Sequence, residues 1–307
     1  MTTALRSMLF APGNEPRKVK KVASFGADAI ILDLEDAVPN ADKVATRPMV
    51  RDAVREIHGP LVCVRVNGLG TRLTAGDVDG VVAEGLDVIV LPKTEAPEDV
   101  VAVDAMIAAA ERREGLAAGR VRVLPLVETA RGVLAASAIA GASPRVLTIA
   151  FGSGDFTRDL ELPAIRWSLA GTELAWARAK LVVDARAAGR PRPIDGPYIA
   201  VRDAEGFVAD CRVARTLGYQ GKVLIHPSQV EAANRAFAPD ADEVAFCRKV
   251  LETFAAAEKQ GSASITVDGV FVDYPIVEKA ERIIALAEAF EAKDRAAGAT
   301  APAGRHA

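Results

Sequence analysis

Charged side chains stand where apolar segments end, at the points where buried strands would leave the core. The segment "LPLVETARG" (124–132) is apolar up to Val127 and turns acidic at Glu128. A later segment, "FGSGDF" (151–156), brings in Asp155 in the same way. An acid at the end of a buried strand is costly unless a proton, a cation or an arginine compensates its charge. The pattern therefore indicates a chemical site.

Glu128 and Asp155 are the two candidate metal ligands. They are separated by about one strand–helix repeat, so in a parallel barrel they would lie at the ends of neighbouring strands. Two converging carboxylates repel each other unless a proton or cation lies between them, and oxygen-only ligands favour a hard ion. Mg²⁺ commonly takes one or two carboxylates, with waters and substrate oxygens in its other positions. The alternative is that one acid caps a helix and the other pairs with an arginine such as Arg131.

Arg65 lies near the end of a third apolar segment, "LVCVRVN" (61–67). Because side chains alternate along a strand, Arg65 falls on the face that would point into the mouth of a barrel. A buried arginine needs an anion. It would therefore either pair internally with Asp33 or Glu35, or bind an anionic group of a substrate.

Other polar residues near strand ends have two interpretations each. Lys93 ("VIVLPK") would form a Schiff base with a carbonyl substrate or a solvated ion pair. His226 ("KVLIHP") would act as a base or hydrogen-bond a backbone carbonyl. A basic group after the first strand would meet the phosphates of a ligand or form a solvated helix face. This group comprises Arg17, Lys18 and Lys20.

Eight apolar segments would position these side chains. They are short, rich in Val, Ile and Leu, and separated by helical patterns, which is typical of strands covered on both faces of a parallel sheet. Eight strand–helix units over roughly 225 residues predict an α/β fold of the (β/α)8 TIM barrel type. A doubly wound open sheet is the alternative, but no GxGxxG follows the first strand. The segments are 7–13, 29–35, 61–67, 88–93, 122–128, 146–152, 193–199 and 222–227.

Capping signals predict where helices begin and end. Asn14 is placed as the N-cap of the first helix, with Pro16 in its first turn and Gly26 as its stop. A later helix begins at Pro97 with acids in its first turn, and its last residues, Arg-Arg-Glu-Gly, suit the helix dipole and a glycine cap.

The pattern changes after the eighth segment. Residues 239–261 predict a further helix, and "SITVDGVFVDY" (264–274) alternates around Asp268-Gly269, a hairpin signal. A last helix follows with Pro275 in its first turn. The predicted organisation is a barrel domain at 1–238, a helix–hairpin–helix extension at 239–295 and a disordered tail at 296–307.

Composition excludes several classes of protein. The 307 residues are 50% hydrophobic and 26% charged with a net charge of -3, which does not favour a nucleic-acid or acidic-membrane partner. Three widely spaced cysteines predict reduced core thiols. No apolar run reaches membrane-spanning length, and the start of the sequence lacks a secretory pattern. We therefore expect a cytoplasmic protein that binds neither nucleic acid nor membrane.

Six motifs in register resemble the citrate lyase beta subunit-like proteins of the HpcH/HpaI aldolase family, which includes malyl-CoA and citramalyl-CoA lyases. The resemblance runs from about residue 6 to about residue 290 with the motifs in the right order, which makes it specific. The motifs are "RSMLFAPGN", "GADAIILDLEDAV", "VRVNG", "LPLVETARGV", "SPRVLTIAFGSGDF" and "GKVLIHPSQV".

The resemblance implies a (β/α)8 barrel and a lyase with Mg²⁺ (or Mn²⁺) as cofactor, assembled as a homotrimer or hexamer. Glu128 and Asp155 match the metal-binding acids of the family, and Arg65 matches the arginine that holds the oxo acid and the developing oxyanion. Asp273 matches an acid–base aspartate that completes a neighbouring subunit's active site. The residues expected to bind substrate are Arg65, Glu35, Asp36 and Gly152.

The implied reaction is reversible cleavage of a 3-hydroxyacyl-CoA, such as malyl-CoA or citramalyl-CoA, into an acyl-CoA and a 2-oxo acid (glyoxylate or pyruvate). The alternatives are an aldolase acting on free hydroxy-oxo acids, a lyase subunit acting on a citryl-carrier protein, and a catalytically silent ligand-binding relative. One departure favours the last: Gly154 stands where many of these proteins have a glutamate beside the second metal acid.

Overall fold

The computed structural model describes residues 5–165, 167–168 and 171–300. The described residues form two compact units, divided between Phe237 and Ala238. Each unit has its own hydrophobic core, so the two are described separately.

The first unit contains a closed barrel of parallel strands. Each strand pairs with the next along the chain, and the first pairs with the eighth. The predicted TIM barrel is thereby confirmed and the open sheet is excluded. The strands are β1 Ser7–Pro12, β2 Ala29–Asp33, β3 Leu61–Arg65, β4 Val88–Leu91, β5 Arg122–Val127, β6 Ala150–Phe151, β7 Ile194–Asp195 and β8 Gly221–Leu224.

The observed strands are shorter than the apolar segments that predicted them. The sixth segment, 146–152, pairs as a strand only at Ala150–Phe151. Its earlier part contributes one isolated bridge, from Val146 to Val123. The apolar segment is longer than the strand because the flanking residues are also buried. A hydropathy pattern does not distinguish buried residues outside a strand from residues that pair within it.

Nine helices of the described chain surround the barrel strands. They are α1 Pro16–Val22, α2 Lys43–Glu56, α3 Thr74–Val81, α4 Pro97–Glu114, α5 Ala130–Gly141, α6 Ser153–Asp159, α7 Thr172–Ala187, α8 Ala204–Leu217 and α9 Val230–Phe237. The expected signals at Pro97 and Gly26 are confirmed, since α4 begins at Pro97 and Gly26 takes a left-handed conformation after the first helical segment. The expected cap is wrong: Glu15, not Asn14, is the N-cap residue of α1.

Alternation along the strands sorts side chains between two cores. One set fills the barrel interior and includes Met8, Ile31, Cys63, Leu124 and Leu126. The other set faces the helices. Each fully buried leucine or isoleucine stabilises the fold by about 1.5–3 kcal/mol before entropy is counted. The inward set also fixes which strand-end residues face the mouth, because the same alternation continues into Asp33, Arg65 and Glu128.

Charged side chains are also buried on the outer side of β7 and β8. Arg178 and Lys222 contact both Asp195 and Asp210. Burial opposes ionisation of Asp195, but the two cations outweigh it and lower the pKa of that carboxyl. Two positive and two negative charges balance, so this cluster has a structural role between α7, α8 and the barrel.

The second unit is a helix–hairpin–helix, as the sequence predicts. Its elements are α10 Ala241–Glu258, β9 Ile265–Val267, β10 Val270–Val272 and α11 Tyr274–Thr300. Asp268 and Gly269 both have positive φ, at 48° and 81°, which is the conformation that a two-residue hairpin of the I′ type requires. Cys247, Val250 and Phe254 form part of its core.

The predicted disordered tail requires a correction at its start. α11 continues through residues 296–300, which the sequence interpretation assigned to the tail. This segment, "AAGAT", is short and rich in alanine, so extending an existing helix costs little. Residues 301–307 lie outside the described residues.

Two further predictions concern the whole chain. All three cysteines are free and buried, as expected for reduced core thiols. Among the helices in the described part of the chain, none combines the length and low charge that crossing a membrane requires.

Candidate active site

The candidate active site lies at the carboxyl ends of the barrel strands. Asp33 ends β2, Arg65 ends β3, Glu128 directly follows β5 and Asp155 lies in the first turn of α6. Lys93 follows β4 by two residues. Carboxyl ends of parallel strands meet at one face of a TIM barrel, where active sites occur.

Glu128 is a buried acid of this face, with 1% of its surface exposed. The backbone N–H of Lys93 donates a 2.6 Å hydrogen bond to its Oε1. Gly152 lies against it so closely that a Cβ there would be 2.3 Å from both Cβ and Oε2 of Glu128. Gly152, expected to bind substrate, therefore makes room for the Glu128 carboxylate.

Asp155 lies near enough to Glu128 for their charges to interact. Burial, the charge of Asp155 and the charge of Glu35 raise the pKa of Glu128 to about 8. Asp155 is partly exposed and pairs with the exposed Arg158 at 2.8 Å. Arg131, the example named in the alternative interpretation, lies 3.9 Å from Glu95. The pairing of one acid with an arginine is nevertheless observed, with Arg158 in place of Arg131.

This pair of acids fits a hard divalent cation. In the described part of the chain, no lysine or arginine forms an ion pair with Glu128, and the cation on Asp155 is a solvated arginine that a metal ion can displace. In that same part of the chain, no group of three or more histidine, cysteine or acidic side chains is arranged to bind a metal ion. Two carboxylates with waters and substrate oxygens form the usual environment of Mg²⁺. Glu128 and Asp155 are the residues that would hold it.

Arg65 is held as its internal-pairing interpretation predicts. Its Nε and Nη2 donate to Oδ1 and Oδ2 of Asp33 at 2.7 and 2.6 Å, and its Nη1 lies 3.1 Å from Oε2 of Glu35. The guanidinium also lies over the ring of Phe10, 4.6 Å from its centroid. Burial opposes its charge, but Asp33 outweighs burial and raises the pKa of Arg65 further. Arg65 is thus a fixed, permanently charged group at the mouth.

Lys93 connects the acids of the β2 loop with Glu128. Its ammonium forms a short ion pair with Glu35 and lies 3.6 Å from Asp36. Burial opposes its charge, but the hydrogen bond and charge of Glu35 prevail and raise the pKa of Lys93. A Schiff base needs a neutral amine, so this environment supports the ion-pair interpretation of Lys93.

Glu35 and Asp36, the two expected substrate-binding acids, differ in their surroundings. Glu35 is 4% exposed, and its Oε2 accepts no hydrogen bond from any residue that the structure describes. Burial, opposed by Arg65 and Lys93, raises the pKa of Glu35. Asp36 is exposed and lies 3.9 Å from Arg65.

Asp273 belongs to the second unit, just before α11. It is half-buried, and its Oδ1 lies 3.4 Å from the N–H of Ile276 in the first turn of that helix. This contact is long and leaves the carboxylate available for other partners. Its role in a neighbouring subunit stays a prediction.

The remaining candidates make local contacts. The Nδ1 of the exposed His226 accepts a hydrogen bond from the Ser228 N–H at 3.2 Å, which caps a short 3₁₀ turn. The backbone partner is thus an N–H and not the carbonyl that the sequence interpretation expected. The basic residues of α1 form an exposed helix face: Arg17, Lys18 and Lys20.

Two residues of this face were missed as site residues. Phe10 supports Arg65 from below, and its position two residues after the inward Met8 is the signal that could have identified it. Asn14 follows β1 at the same end, and its Oδ1 is buried without a hydrogen-bond partner among the described residues. Its assignment as a helix cap concealed it.

Known proteins resemble this chain over almost its whole length. The citrate lyase subunit beta of Leuconostoc mesenteroides subsp. cremoris is 36% identical over 286 residues, which cover 92% of this chain and 93% of that relative. The L-malyl-CoA/beta-methylmalyl-CoA lyase of Cereibacter sphaeroides is 34% identical over 313 residues, covering 94% and 96%.

A solved structure has the same fold. The structure of protein CitE from Mycobacterium tuberculosis, in complex with magnesium, acetoacetate and coenzyme A, has a TM-score of 0.76 and 30% identity, and the match covers 94% of this chain and 100% of that one. The model of the HpcH/HpaI aldolase/citrate lyase family matches residues 6–227. The resemblance inferred from the six motifs is confirmed, and with it the enzyme class. The chain is a lyase that belongs to the HpcH/HpaI aldolase/citrate lyase family.

Proposed function

We propose that this chain is a Mg²⁺-dependent carbon–carbon lyase that reversibly cleaves a 3-hydroxyacyl-CoA into an acyl-CoA and a 2-oxo acid. Malyl-CoA and citramalyl-CoA are the substrates we favour, with glyoxylate and pyruvate as the corresponding oxo acids. The observation that carries the proposal is that the buried Glu128 lies within the electrostatic influence of both Asp155 and the fixed cation Arg65.

The names and ligands of similar proteins support the substrate class. One relative is named for malyl-CoA and beta-methylmalyl-CoA. One similar structure contains magnesium, acetoacetate and coenzyme A, and another contains magnesium and pyruvate. A CoA thioester suits the chemistry because it allows the leaving carbanion to form as a thioester enolate.

Glu128 and Asp155 would hold the cation at the mouth of the barrel. When bound there, Mg²⁺ would polarise the oxygen of the substrate and favour cleavage by several kcal/mol. Glu128 is fixed for this task by the Lys93 N–H and by the close packing of Gly152. Asp155 would exchange its contact with Arg158 for the cation.

Arg65 would stabilise the negative charge that moves onto substrate oxygen during cleavage. Its two hydrogen bonds to Asp33 and its stacking on Phe10 fix the guanidinium before substrate arrives. Little reorganisation is therefore needed in the transition state. The same guanidinium would attract the carboxylate of a 2-oxo acid.

Asp273 would act as the acid–base group at the thioester carbon. In cleavage it would protonate the enolate, and in condensation it would remove a proton from the acyl group. We infer that it acts in the active site of a neighbouring subunit, which makes the active form a homo-oligomer, a trimer or a hexamer.

The second candidate is a citrate lyase subunit that acts on a thioester of a carrier protein. Its support is the 36% identity to a citrate lyase subunit beta over most of both chains. Such a subunit would need a carrier and partner subunits, whereas a CoA lyase would be active alone.

Assaying the purified chain against a panel of thioesters tests the proposal. We expect turnover of malyl-CoA or citramalyl-CoA with Mg²⁺, products identified by mass spectrometry, and no turnover after chelation with EDTA. Activity only with a citryl-carrier protein would favour the second candidate. Metal-dependent turnover of free 4-hydroxy-2-oxo acids alone would replace the thioester lyase with an aldolase.

A further inference from the structure

Glu35 is a buried carboxylate at the mouth of the barrel, and its two oxygens have different surroundings. Its Oε1 pairs with the ammonium of Lys93. Its Oε2 accepts no hydrogen bond from the described residues, although Nη1 of Arg65 lies 3.1 Å away. The ion pair with Arg65 compensates the charge of Oε2, and this buried oxygen can still accept a hydrogen bond from a donor that arrives from outside the chain.

The loop that carries Glu35 is fixed by its own contacts. The carboxylate of Asp33 accepts hydrogen bonds from the N–H groups of Glu35 and Ala37, both at 2.9 Å. Lys43 donates to the carbonyl oxygen of Leu34 at 3.2 Å. The orientation of Glu35 is therefore preset, as expected of a group that exchanges a proton with a bound substrate.

None of the residues Glu128, Asp155, Arg65 and Asp273 receives the substrate's hydroxyl proton in the proposed reaction. Cleavage converts that hydroxyl into the carbonyl of the 2-oxo acid, so the proton must leave the oxygen. A hydroxyl that reaches Oε2 of Glu35 would also lie beside the guanidinium of Arg65, which is where the proposed function puts developing negative charge. Burial raises the pKa of Glu35, which favours proton acceptance over permanent ionisation.

We propose that Glu35 is the acid–base group for the substrate hydroxyl, accepting its proton in cleavage and returning it in condensation. This inference rests on the proposed lyase function. In cleavage the O–H bond breaks and its proton goes to Oε2; its electron pair forms the carbonyl only as the carbon–carbon bond to the same carbon breaks. The electron pair of that carbon–carbon bond forms the thioester enolate, which takes a proton from Asp273. No further reactant is needed.

Replacing Glu35 separates this step from the chemistry at Asp273. Glu35→Gln keeps the size and hydrogen-bonding atoms but cannot take up a proton. We expect it to lower kcat for thioester cleavage by about 10²–10⁴-fold, the usual contribution of general acid–base catalysis. Exchange of the acetyl-CoA methyl protons with D₂O, measured with oxamate in the oxo-acid position, requires Asp273 and not Glu35. That exchange rate should stay within about threefold of wild type.

Glu111→Gln is the matched control for loss of a buried acid. Glu111 is equally buried and is held by Arg145 through bonds of 2.8 and 2.7 Å, at the opposite end of the barrel. The Glu111→Gln variant should be less stable than the wild type and should have an unchanged kcat. The thermal shift caused by Mg²⁺ reports whether Glu35→Gln still folds and binds the cation.

The outcomes distinguish the two proposals. Cleavage lost with exchange retained supports Glu35 as the hydroxyl base. Cleavage within about fivefold of wild type, or equal loss of cleavage and exchange, overturns that role. If the wild-type chain neither cleaves nor exchanges any thioester, the proposed lyase function itself fails, and this inference fails with it.

Discussion

The backbone N–H of Lys93 donates a 2.6 Å hydrogen bond to Oε1 of Glu128, while the side chain of the same lysine pairs with Glu35. Lys93 does this from a left-handed conformation with φ of 50°, which costs a lysine on the order of 1–3 kcal/mol. One strained residue thus joins the candidate metal ligand to the candidate hydroxyl base.

Lys93→Met should separate these two contacts, because it removes the ammonium and keeps the N–H. The charge of Lys93 lowers the pKa of Glu35 against the effect of burial, so its loss should raise that pKa further. A base works only above its pKa, so the acid limb of kcat/KM should move to higher pH by about one unit. Profiles of rate against pH measure the shift, and half-saturation by Mg²⁺ should stay within about threefold. An unmoved limb would contradict this role of Lys93.

Two glycines of α6 and its N-cap offer a matched pair of alanine variants. Gly152→Ala would place a Cβ 2.3 Å from Oε2 of Glu128, whereas a Cβ at Gly154 meets nothing within 4 Å. We expect Gly152→Ala to lose about 1–3 kcal/mol of stability by overpacking and to weaken Mg²⁺ binding about tenfold or more. Gly154→Ala should be more stable by about 0.5–1 kcal/mol, because alanine has a higher helix propensity than glycine, and it should bind Mg²⁺ normally. Urea unfolding with and without Mg²⁺ measures both. Equal effects of the two variants would contradict the packing argument.

Binding of Mg²⁺ should depend on pH through Glu128. Its pKa of about 8 means that the free protein holds this carboxyl protonated at neutral pH, and a cation must displace the proton. Affinity should therefore rise about tenfold per pH unit toward pH 8 and level off above it. Calorimetric titration in buffers of different ionisation enthalpy should detect one proton released per Mg²⁺ bound below pH 8. A pH-independent affinity between pH 6 and 8 would contradict the raised pKa.

The same shift predicts how the metal-free protein responds to pH. Between the usual value of 4.5 and about 8, the folded state holds a proton on Glu128 that the unfolded state has released. Stability should therefore fall as pH rises through this range, by at most about 1.4 kcal/mol per unit. Glu128→Gln has no proton to lose and should flatten that part of the stability profile.

Asp273→Asn should keep Mg²⁺ and oxo-acid binding and lose turnover by about 10²-fold or more, because only the proton transfer at carbon is removed. If Asp273 acts in a neighbouring subunit, mixing Asp273→Asn with Glu128→Gln chains should restore activity that neither variant has alone. Each mixed oligomer then contains sites with an intact metal ligand and an intact aspartate. Mixtures that remain inactive after subunit exchange would contradict action in trans.

The barrel and its polar mouth were largely predictable because they depend on local patterns. Short, continuous apolar segments identify the strands. Because side chains alternate along a strand, the direction of Arg65 and Glu128 followed from Cys63 and Leu126. Contacts between side chains of different loops could not be predicted from these local patterns. The contact of Lys93 with Glu35 joins residues from different repeats, and its left-handed backbone is set by surroundings that a single sequence does not display.

Packing detail was unpredictable for the same reason. The space that requires a glycine at 152 is created by Glu128 from the preceding strand, and Phe10 becomes a site residue only because the barrel closes β1 near β3. The helical residues 296–300 show the opposite error, in which small residues were taken as disordered although the preceding helix extends through them.

Titration of Mg²⁺ into the purified wild-type chain, Glu128→Gln and Asp155→Asn, with bound Mn²⁺ counted in parallel by electron paramagnetic resonance, tests the central claim most directly. We expect one divalent ion per wild-type chain and an affinity at least about 10²-fold weaker in each variant, because each removes one of two carboxylate ligands. Undiminished binding of the ion by either variant would contradict a cation held between Glu128 and Asp155.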